Sequence, residues 1–181
     1  DGDPLSVSTT PVSGASNGSV TLQTNGSFTY TPTANFNGED SFVYQISDGK
    51  GGSDTATITI TVNSINDAPT ANDDSATTDQ DVSVTVSPLT NDSDIDSDTL
   101  SIDSFTQAAN GTVTNTGGGA LLYTPDSGYV GSDSFTYTIS DGNGGTDTAT
   151  VSLSVLKVNQ PPIANDDSAT TDEDTAVNIS P

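Results

Sequence analysis

The chain has 181 residues, with 25 acidic and two basic side chains, no histidine and no cysteine, and its formal net charge is −23. Such a charge repels nucleic acid and anionic membranes. A sequence without cysteine excludes a disulfide scaffold and a thiolate metal site, and no apolar run is long enough for a transmembrane helix. Low hydrophobicity with high net charge is also typical of intrinsic disorder, which is the alternative to a folded domain.

An internal duplication argues against disorder. The stretch GEDSFVYQISDGKGGSDTAT at 38–57 returns at 131–150 as GSDSFTYTISDGNGGTDTAT, with 15 of 20 positions identical at an offset of 93 residues. In the second copy Phe135, Tyr137 and Ile139 alternate with hydroxyl side chains, which is the period of a β-strand with one buried face. The glycine-rich stretch that follows predicts a hairpin turn. The chain is therefore predicted to be an array of one β-rich module.

The first module is expected over residues 1–69 and contains five predicted strands. They lie near residues 5–9, 18–22, 27–31, 40–47 and 54–63. Compared with the second module, the first lacks strands A and B. The run Asn66-Asp67-Ala68-Pro69 predicts a linker, because proline with polar neighbours interrupts both helix and strand.

The second module, residues 70–163, contains all seven predicted strands, A to G. They cover residues 72–78, 82–86, 100–105, 112–115 and 120–124, followed by the repeated hairpin as F and G. Seven short strands in about 90 residues, with closely spaced turns and no helical period, predict an all-β fold. The expected architecture is a tandem of seven-stranded immunoglobulin/cadherin-like Greek-key β-sandwiches.

Residues 164–181 restart the repeat, because ANDDSATTDED at 164–174 follows ANDDSATTDQD at 71–81. This segment is expected to be strand A and the start of strand B of a third module. Since the first module lacks those strands, we hypothesise that residues 164–181 of one molecule complete the first module of another, head to tail. The alternative is that both ends fray.

The acidic residues gather in loops at the two ends of the predicted sandwich. Alternating strand directions place the loop at residues 91–98, the turn at 141–147, and Asp73 and Asp74 at one end. The other end carries the turn at 79–81, Asp126 and Asp133. Carboxylates this close repel each other by about 1 kcal/mol per pair even in water. A hard divalent cation reverses that repulsion, and Ca²⁺ accepts Asp, Asn and carbonyl oxygens in irregular geometry.

The loop NDSDIDSDTL is not an EF-hand, since the sixth loop position is Ser97 and the twelfth is Asp103. The alternative to a metal site is a solvated acidic turn. That alternative is stronger for Asp141 and Asp147, where the Asp-Gly sequence is ordinary turn chemistry. The candidate calcium ligands from the loops and from the start of strand A are Asp92, Asp94, Asp96, Asp98, Asp141, Asp147, Asp73 and Asp74.

The whole pattern of NDxDxDxDxL, NGTV, LxYTP, GxDSFTYTISDGNGG, TATVxLxV and a terminal NxxP resembles the cadherin-like and immunoglobulin-like tandem repeats of large secreted bacterial proteins. This resemblance implies Ca²⁺ at the module ends. By the same resemblance Asn66 and Asp67 correspond to the Asn-Asp pair of a cadherin linker. Gln160 stands where Asp67 stood, so weaker calcium binding is expected at the second junction.

The leading functional hypothesis is a calcium-rigidified spacer of a secreted bacterial surface adhesin, whose partners are neighbouring modules of the same chain. The alternative is a calcium-dependent carbohydrate-binding module, attached to a polysaccharide-degrading or cell-surface protein. Tyr129 and Phe36 are its candidate sugar-stacking residues, although each could simply close the open end of a sandwich. An enzyme is not expected, because without His or Cys the available catalytic groups are carboxylates in exposed loops.

Overall fold

The computed structural model describes residues 4–159, 161–178 and 180. They form an all-β protein, as the alternating sequence pattern predicts. No helix among the described residues combines the length and the hydrophobicity needed to span a bilayer. The strands are β1 (Ser6–Val7), β2 (Gly18–Leu22), β3 (Phe28–Pro32), β4 (Gly38–Ser47), β5 (Ser53–Val62), β6 (Asp74–Asp79), β7 (Val84–Val86), β8 (Ser101–Phe105), β9 (Gly111–Gly117), β10 (Ala120–Pro125), β11 (Gly131–Ser140) and β12 (Thr146–Leu156).

The seven strands predicted for the second module are all present, as β6 to β12. They form two sheets with the orders β7-β10-β9 and β6-β12-β11-β8. Strand β6 pairs parallel with β12, from Asp74 opposite Val151 to Asp79 opposite Leu156. Sequence reasoning missed one element, a short 3-10 helix at Pro88–Thr90 after β7.

Alternating apolar residues form the core of this sandwich. Leu121, Tyr123, Tyr137, Ile139 and Val151 have no measurable exposed surface. On β11 and β12 the intervening hydroxyl residues face outward or are half-buried, since successive side chains of a strand point to opposite faces. The alternation of apolar and hydroxyl residues in the sequence therefore identifies which face of each strand is buried.

The first module contains the five predicted strands in two smaller sheets, β1-β4-β5 and β2-β3. Phe42 is buried and stacks edge to face on Phe28, with ring centroids 5.2 Å apart. The apolar residues of β5 are only half-buried or exposed. Its fold follows the second module, but its core is incompletely covered.

The described residues divide into two compact units. One unit comprises the chain up to Ala71 together with Asn91–Asp103 and Thr138–Thr148. It therefore contains the first module, the linker, the acidic loop and the turn between β11 and β12. The other unit comprises Asn72–Thr90, Ser104–Tyr137 and the chain from Ala149 onward, and it contains most of the second sandwich core.

The strands expected over residues 164–181 are not formed in the described part of that segment. Residues 161–178 have no strand, and every one is exposed. The physical reason is that a short A–B pair has no sheet to join within this segment, and an isolated pair of strands is marginal in water. Its turn is nevertheless formed, with the Thr175 amide donating to the Asp172 carbonyl at 3.2 Å.

Candidate metal site

The acidic loop between β7 and β8 folds around the carboxylate of Asp94. Thr70 and Ser93 exchange two backbone hydrogen bonds of 2.8 and 3.1 Å, which fix the start of the loop. Asp94 Oδ1 accepts hydrogen bonds from the amides of Asp96 at 2.8 Å and Asp98 at 3.2 Å. Its other oxygen, Oδ2, is buried and accepts no hydrogen bond. A buried carboxylate oxygen without a donor is costly unless another group compensates it.

The turn between β11 and β12 is built around Asp141, which is only 5% exposed. Its Oδ1 accepts from the Asn143 amide at 2.8 Å, and both carboxylate oxygens accept from the Gly145 amide at 3.0 and 3.1 Å. Asn66 Nδ2 donates to Oδ2 at 2.8 Å. The Asn66 hydrogen bond, followed by the backbone donors, outweighs partial burial and lowers the pKa of Asp141 below its usual range. The turn therefore holds a charged carboxylate.

Gly145 allows this close wrapping of the turn. A Cβ atom at this position would collide with the Asp141 carboxylate and would lie 2.8 Å from Ala68 Cα. The second glycine of the repeated Gly-Gly pair is thus required by contact with its surroundings. Gly52 in the first module approaches Asp48 in the same way.

Three of the predicted ligands come together in this unit. One carboxylate oxygen from each of Asp94, Asp98 and Asp141 lies within 4.8 Å of the other two. Two oxygens bound to one Ca²⁺ at 2.3–2.6 Å can be at most about 5 Å apart, so this spacing fits a shared calcium ion. The buried Asp94 Oδ2 and the all-oxygen donor set fit the same ion. Asn143 Nδ2 donates to Asp98 Oδ2 at 2.8 Å and orients that side chain.

The other predicted ligands have separate hydrogen-bonding roles. Asp96 Oδ2 accepts from the Asp67 amide at 2.7 Å, so Asp67 contacts the loop through its backbone. Asp147 Oδ2 accepts from the Ala71 amide at 2.8 Å. In the other unit Asp73 accepts from the Thr150 amide at 2.8 Å, and Asp74 begins β6. Asp92 is half-buried at the start of the loop and does not join the three-carboxylate group.

A second carboxylate, that of Asp133, is surrounded by hydrogen-bond donors, and sequence reasoning missed this arrangement. Its oxygens accept from the Tyr123 hydroxyl at 2.9 Å and from the amides of Ala109, Asn110 and Ser134 at 3.1, 3.0 and 2.9 Å. Asp133 on β11 therefore has a structural role, because it accepts hydrogen bonds from β10 and from the two residues just before β9. The signal was present in the repeat, because Tyr30 and Asp40 have the same ten-residue spacing, and the Tyr30 hydroxyl likewise donates to Asp40, at 3.0 Å.

The pKa values of Asp133 and Tyr123 are both shifted from their usual range. Burial tends to raise the pKa of Asp133, but its backbone and Tyr123 hydrogen bonds outweigh that effect and lower the pKa overall. Burial, followed by the hydrogen bond and negative charge of Asp133, raises the pKa of Tyr123. Gly111 makes room for the ring, since a Cβ there would collide with Tyr123 and lie 2.7 Å from the Thr124 carbonyl. We name this arrangement, repeated at Tyr30 and Asp40, the tyrosine–aspartate latch.

The two candidate sugar-stacking aromatics have different surroundings. The Tyr129 hydroxyl donates to the Ser132 carbonyl at 2.5 Å, so this ring is fastened to its own loop. Phe36 is half-buried and lines an open pocket of about 350 Å³ in the unit that contains the linker. Asparagine side chains and two carboxylate residues surround the same pocket, namely Asn35, Asn37, Asn63, Asp67 and Asp96.

Three comparisons place the chain among known proteins. A search of curated proteins gives no match. Among solved structures, an endo-fucoidan hydrolase from glycoside hydrolase family 107 is similar, with 27% identity, a TM-score of 0.41, and coverage of 87% of this chain and 24% of that chain. The cadherin domains of protocadherin gamma B2 give 16% identity, a TM-score of 0.48, and coverage of 87% and 33%. The ectodomain of human desmocollin-1 has 11% identity and a TM-score of 0.42, with coverage of 86% of this chain and 35% of that chain.

The chain thus spans about a third or less of each of these structures. The model of the bacterial Ig domain family matches residues 1–61 and 66–154, which together include most of the chain and both sandwiches. This chain therefore belongs to the bacterial Ig domain family.

Proposed function

We propose that this chain is a calcium-binding repeat that acts as a spacer in a secreted bacterial surface adhesin, and that calcium stiffens it. The observation that carries the proposal is the group formed by Asp94, Asp98 and Asp141, whose carboxylate oxygens lie within 4.8 Å of one another. The role proposed is binding and spacing rather than catalysis.

The contacts of Asp141 connect a bound ion to the linker. Asn66 belongs to the linker and donates to Asp141, while the Asp67 amide donates to Asp96. A cation that neutralises Asp94, Asp98 and Asp141 would hold the acidic loop and the turn in place, and so preserve the acceptors that fix the linker. Without the cation, mutual repulsion of the three carboxylates favours opening of the same region.

Net charge supports a cation as the compensating group. With 25 acidic and two basic residues, the side chains cannot neutralise the acidic loops among themselves. Calcium modules outside the cell bind with dissociation constants of roughly 10⁻⁴ to 10⁻³ M, so a repeat of this kind would be filled after export and empty in the cytoplasm. The expected location is the bacterial cell surface or the extracellular medium.

The first test is thermal unfolding of the chain in EDTA and in calcium. For that range of affinity, about 10 mM Ca²⁺ stabilises the folded state by about 1.4 to 2.7 kcal/mol. We expect the melting temperature to rise by about 5 °C or more, because 1 kcal/mol shifts a domain of this size by about that amount. Magnesium at the same concentration controls for ionic strength and is expected to have a smaller effect. An identical melting temperature in EDTA and calcium would refute the proposal.

The second candidate function is calcium-dependent carbohydrate binding, favoured by the pocket beside Phe36. An aromatic ring flanked by amides and carboxylates can stack on a sugar while hydrogen-bonding its hydroxyl groups. The pocket includes Asp67 and Asp96, which are themselves joined by a hydrogen bond, so calcium at the neighbouring loop would influence its shape.

If the pocket binds sugar, Phe36→Ala is expected to abolish retention on an insoluble polysaccharide. Cellulose, chitin, xylan, pectin and alginate are each mixed with the chain, with and without calcium, and bound protein is measured after sedimentation. Val12→Ala is the matched control, since Val12 is 59% exposed and lies outside the pocket. Equal retention of wild type and Phe36→Ala on every polymer would exclude this pocket as the sugar site.

A further inference from the structure

The outer edge of β9, in the second sandwich, is closed by a side chain instead of by another strand. In the sheet β7-β10-β9, β9 is the terminal strand, and among the described residues it pairs only with β10. Gln107 belongs to the connection between β8 and β9. Its Nε2 donates to the Val113 carbonyl at 2.9 Å, and its Oε1 accepts from the Val113 amide at 2.8 Å. One carboxamide therefore binds both outward backbone groups of Val113.

This contact reproduces the bonding of a paired strand. A carboxamide has the same C=O and N–H groups as a peptide unit, and a hydrogen-bonded pair of antiparallel residues exchanges the same two bonds. Because the Val113 groups point away from β10, alternation along the ladder points those of Gly111 and Asn115 outward as well. The chemistry that this edge recognises is thus that of an extended peptide backbone.

β9 itself lacks the features that usually protect an edge strand. Edge strands are commonly very short, or they contain proline or charged side chains. β9 has seven residues, Gly111–Gly117, and contains neither proline nor a charged residue. None of residues 104–125 is acidic or basic, although the chain has a formal net charge of −23. A second copy can therefore approach this edge without placing like charges in direct contact.

We propose that β9 pairs antiparallel with β9 of a second copy of this chain, and that Gln107 closes this edge in the single molecule. When the Gln107 side chain turns away, Val113 of each copy faces Val113 of the other across a two-fold axis. The two residues exchange amide-to-carbonyl hydrogen bonds, and Gly111 of each copy pairs with Asn115 of the other. Two three-stranded sheets then become one, in the order β7-β10-β9-β9-β10-β7.

The contact is isologous, so it joins two copies and then closes. The exposed Thr112 of one copy lies opposite the exposed Thr114 of the other. Gln107 is itself exposed, so its side chain can move into solvent without uncovering the core. Pairing requires the two Gln107 hydrogen bonds of each copy to break first. Gln107 thus sets how strongly two copies pair.

The first measurement compares the masses of wild type and Gln107→Ala by sedimentation equilibrium. EDTA excludes calcium bridging, and about 150 mM sodium chloride screens the net charge. Gln107→Ala should dimerise about 30-fold or more tightly than wild type, because it has no Gln107 hydrogen bonds to break. Its average mass should rise from 18.3 kDa towards twice that value as concentration increases. Ser104→Ala also shortens an exposed polar side chain, and this control should match wild type.

Two further variants show whether the association uses the backbone edge. Asn115→Pro removes an outward amide and leaves the hydrogen bonds to β10, so adding it to Gln107→Ala should restore the wild-type mass. Gln107→Glu loses the donor to the Val113 carbonyl but places a carboxylate at the edge of each copy, so it should behave like wild type. Equal masses of wild type and Gln107→Ala at every concentration would overturn the proposal. So would a Gln107→Ala dimer that is equally strong with Asn115→Pro.

The register is tested with single cysteines added to Gln107→Ala, since the native chain has no cysteine. Thr112→Cys mixed with Thr114→Cys should give a disulfide-linked heterodimer, because directly opposite residues of a non-hydrogen-bonded pair lie within disulfide range. Thr112→Cys mixed with Ser152→Cys is the control, because Ser152 is exposed on β12 of the other sheet. Equal crosslinking yields in the two mixtures would contradict the pairing of β9 with β9.

Discussion

Replacing Asp133 with alanine is expected to destabilise the second sandwich by about 3 kcal/mol or more, one of the largest effects of any polar substitution in this chain. The substitution removes the acceptor of the Tyr123 hydroxyl and of three backbone amides, at 2.9 to 3.1 Å. Hydrogen bonds to a charged acceptor contribute about 1.5–3 kcal/mol each, and donors left without an acceptor in a partly buried place add a further penalty. Urea unfolding followed by circular dichroism measures the loss.

Tyr123→Phe separates the contributions within the latch. It removes one donor and leaves the three amides on Asp133, so the expected loss is smaller, about 1 to 2 kcal/mol. The two losses should not add in the double variant, because the residues share one bond. Asp126→Ala is the control for charge, since Asp126 is exposed, and its effect should stay within about 0.5 kcal/mol. A loss for Asp133→Ala no larger than this control would contradict the role assigned to the latch.

The same latch predicts the direction of acid unfolding. Because the pKa of Asp133 is lowered in the folded state, its stabilising effect is present above the unfolded-state pKa of about 3.9 and is lost as pH falls through the folded value. Asp133→Asn has no carboxyl group to titrate, so its stability should fall less steeply than that of wild type below about pH 4.

The second large effect is expected at the candidate calcium site, where substitutions should stabilise the protein without calcium and destabilise it with calcium. Asp94→Asn and Asp98→Asn are each expected to raise the melting temperature in EDTA, because each removes one charge from three carboxylates whose oxygens lie within 4.8 Å. In millimolar calcium the same variants should be less stable than wild type, because the ion loses a charged ligand. The variant should therefore have the higher melting temperature in EDTA, and wild type should have the higher melting temperature in calcium.

The matched control for this reversal is Asp103→Asn. Asp103 is exposed on β8, and its substitution changes the net charge equally without touching the group of three. Its melting temperature should follow wild type through the whole titration. If Asp94→Asn keeps the full response to calcium, the ion binds elsewhere and the assignment of this group is wrong.

The sequence predicted the sheets better than it predicted the acidic loop. Strict alternation of Phe135, Tyr137 and Ile139 identified a buried face in the second module. Of their counterparts at the repeat offset, Phe42 is buried, whereas Tyr44 and Ile46 are half-buried. In the loop, alternating Asp92, Asp94, Asp96 and Asp98 would point the same way only in an extended strand. Instead the Ser97 amide donates to the Asp94 carbonyl at 3.3 Å and Ser97 has φ 66°, so the chain turns back.

Hydrogen-bond partners on different strands and loops were harder still to predict. Asp133 and Tyr123 lie on strands of different sheets, and alternation within one strand carries no information about contacts across a sandwich. The repeated ten-residue spacing was visible, but spacing alone does not reveal that a loop brings the amides of Ala109 and Asn110 to the same carboxylate.

The parallel pairing of β6 with β12 determines how the second sandwich carries tension. These are its first and last strands, and six consecutive residue pairs join them. Pulling the chain by its two ends draws parallel neighbours in opposite directions along their length. The hydrogen bonds between them are then sheared together instead of being peeled apart one after another. A chain of such sandwiches therefore resists stretching along its length through its strand order.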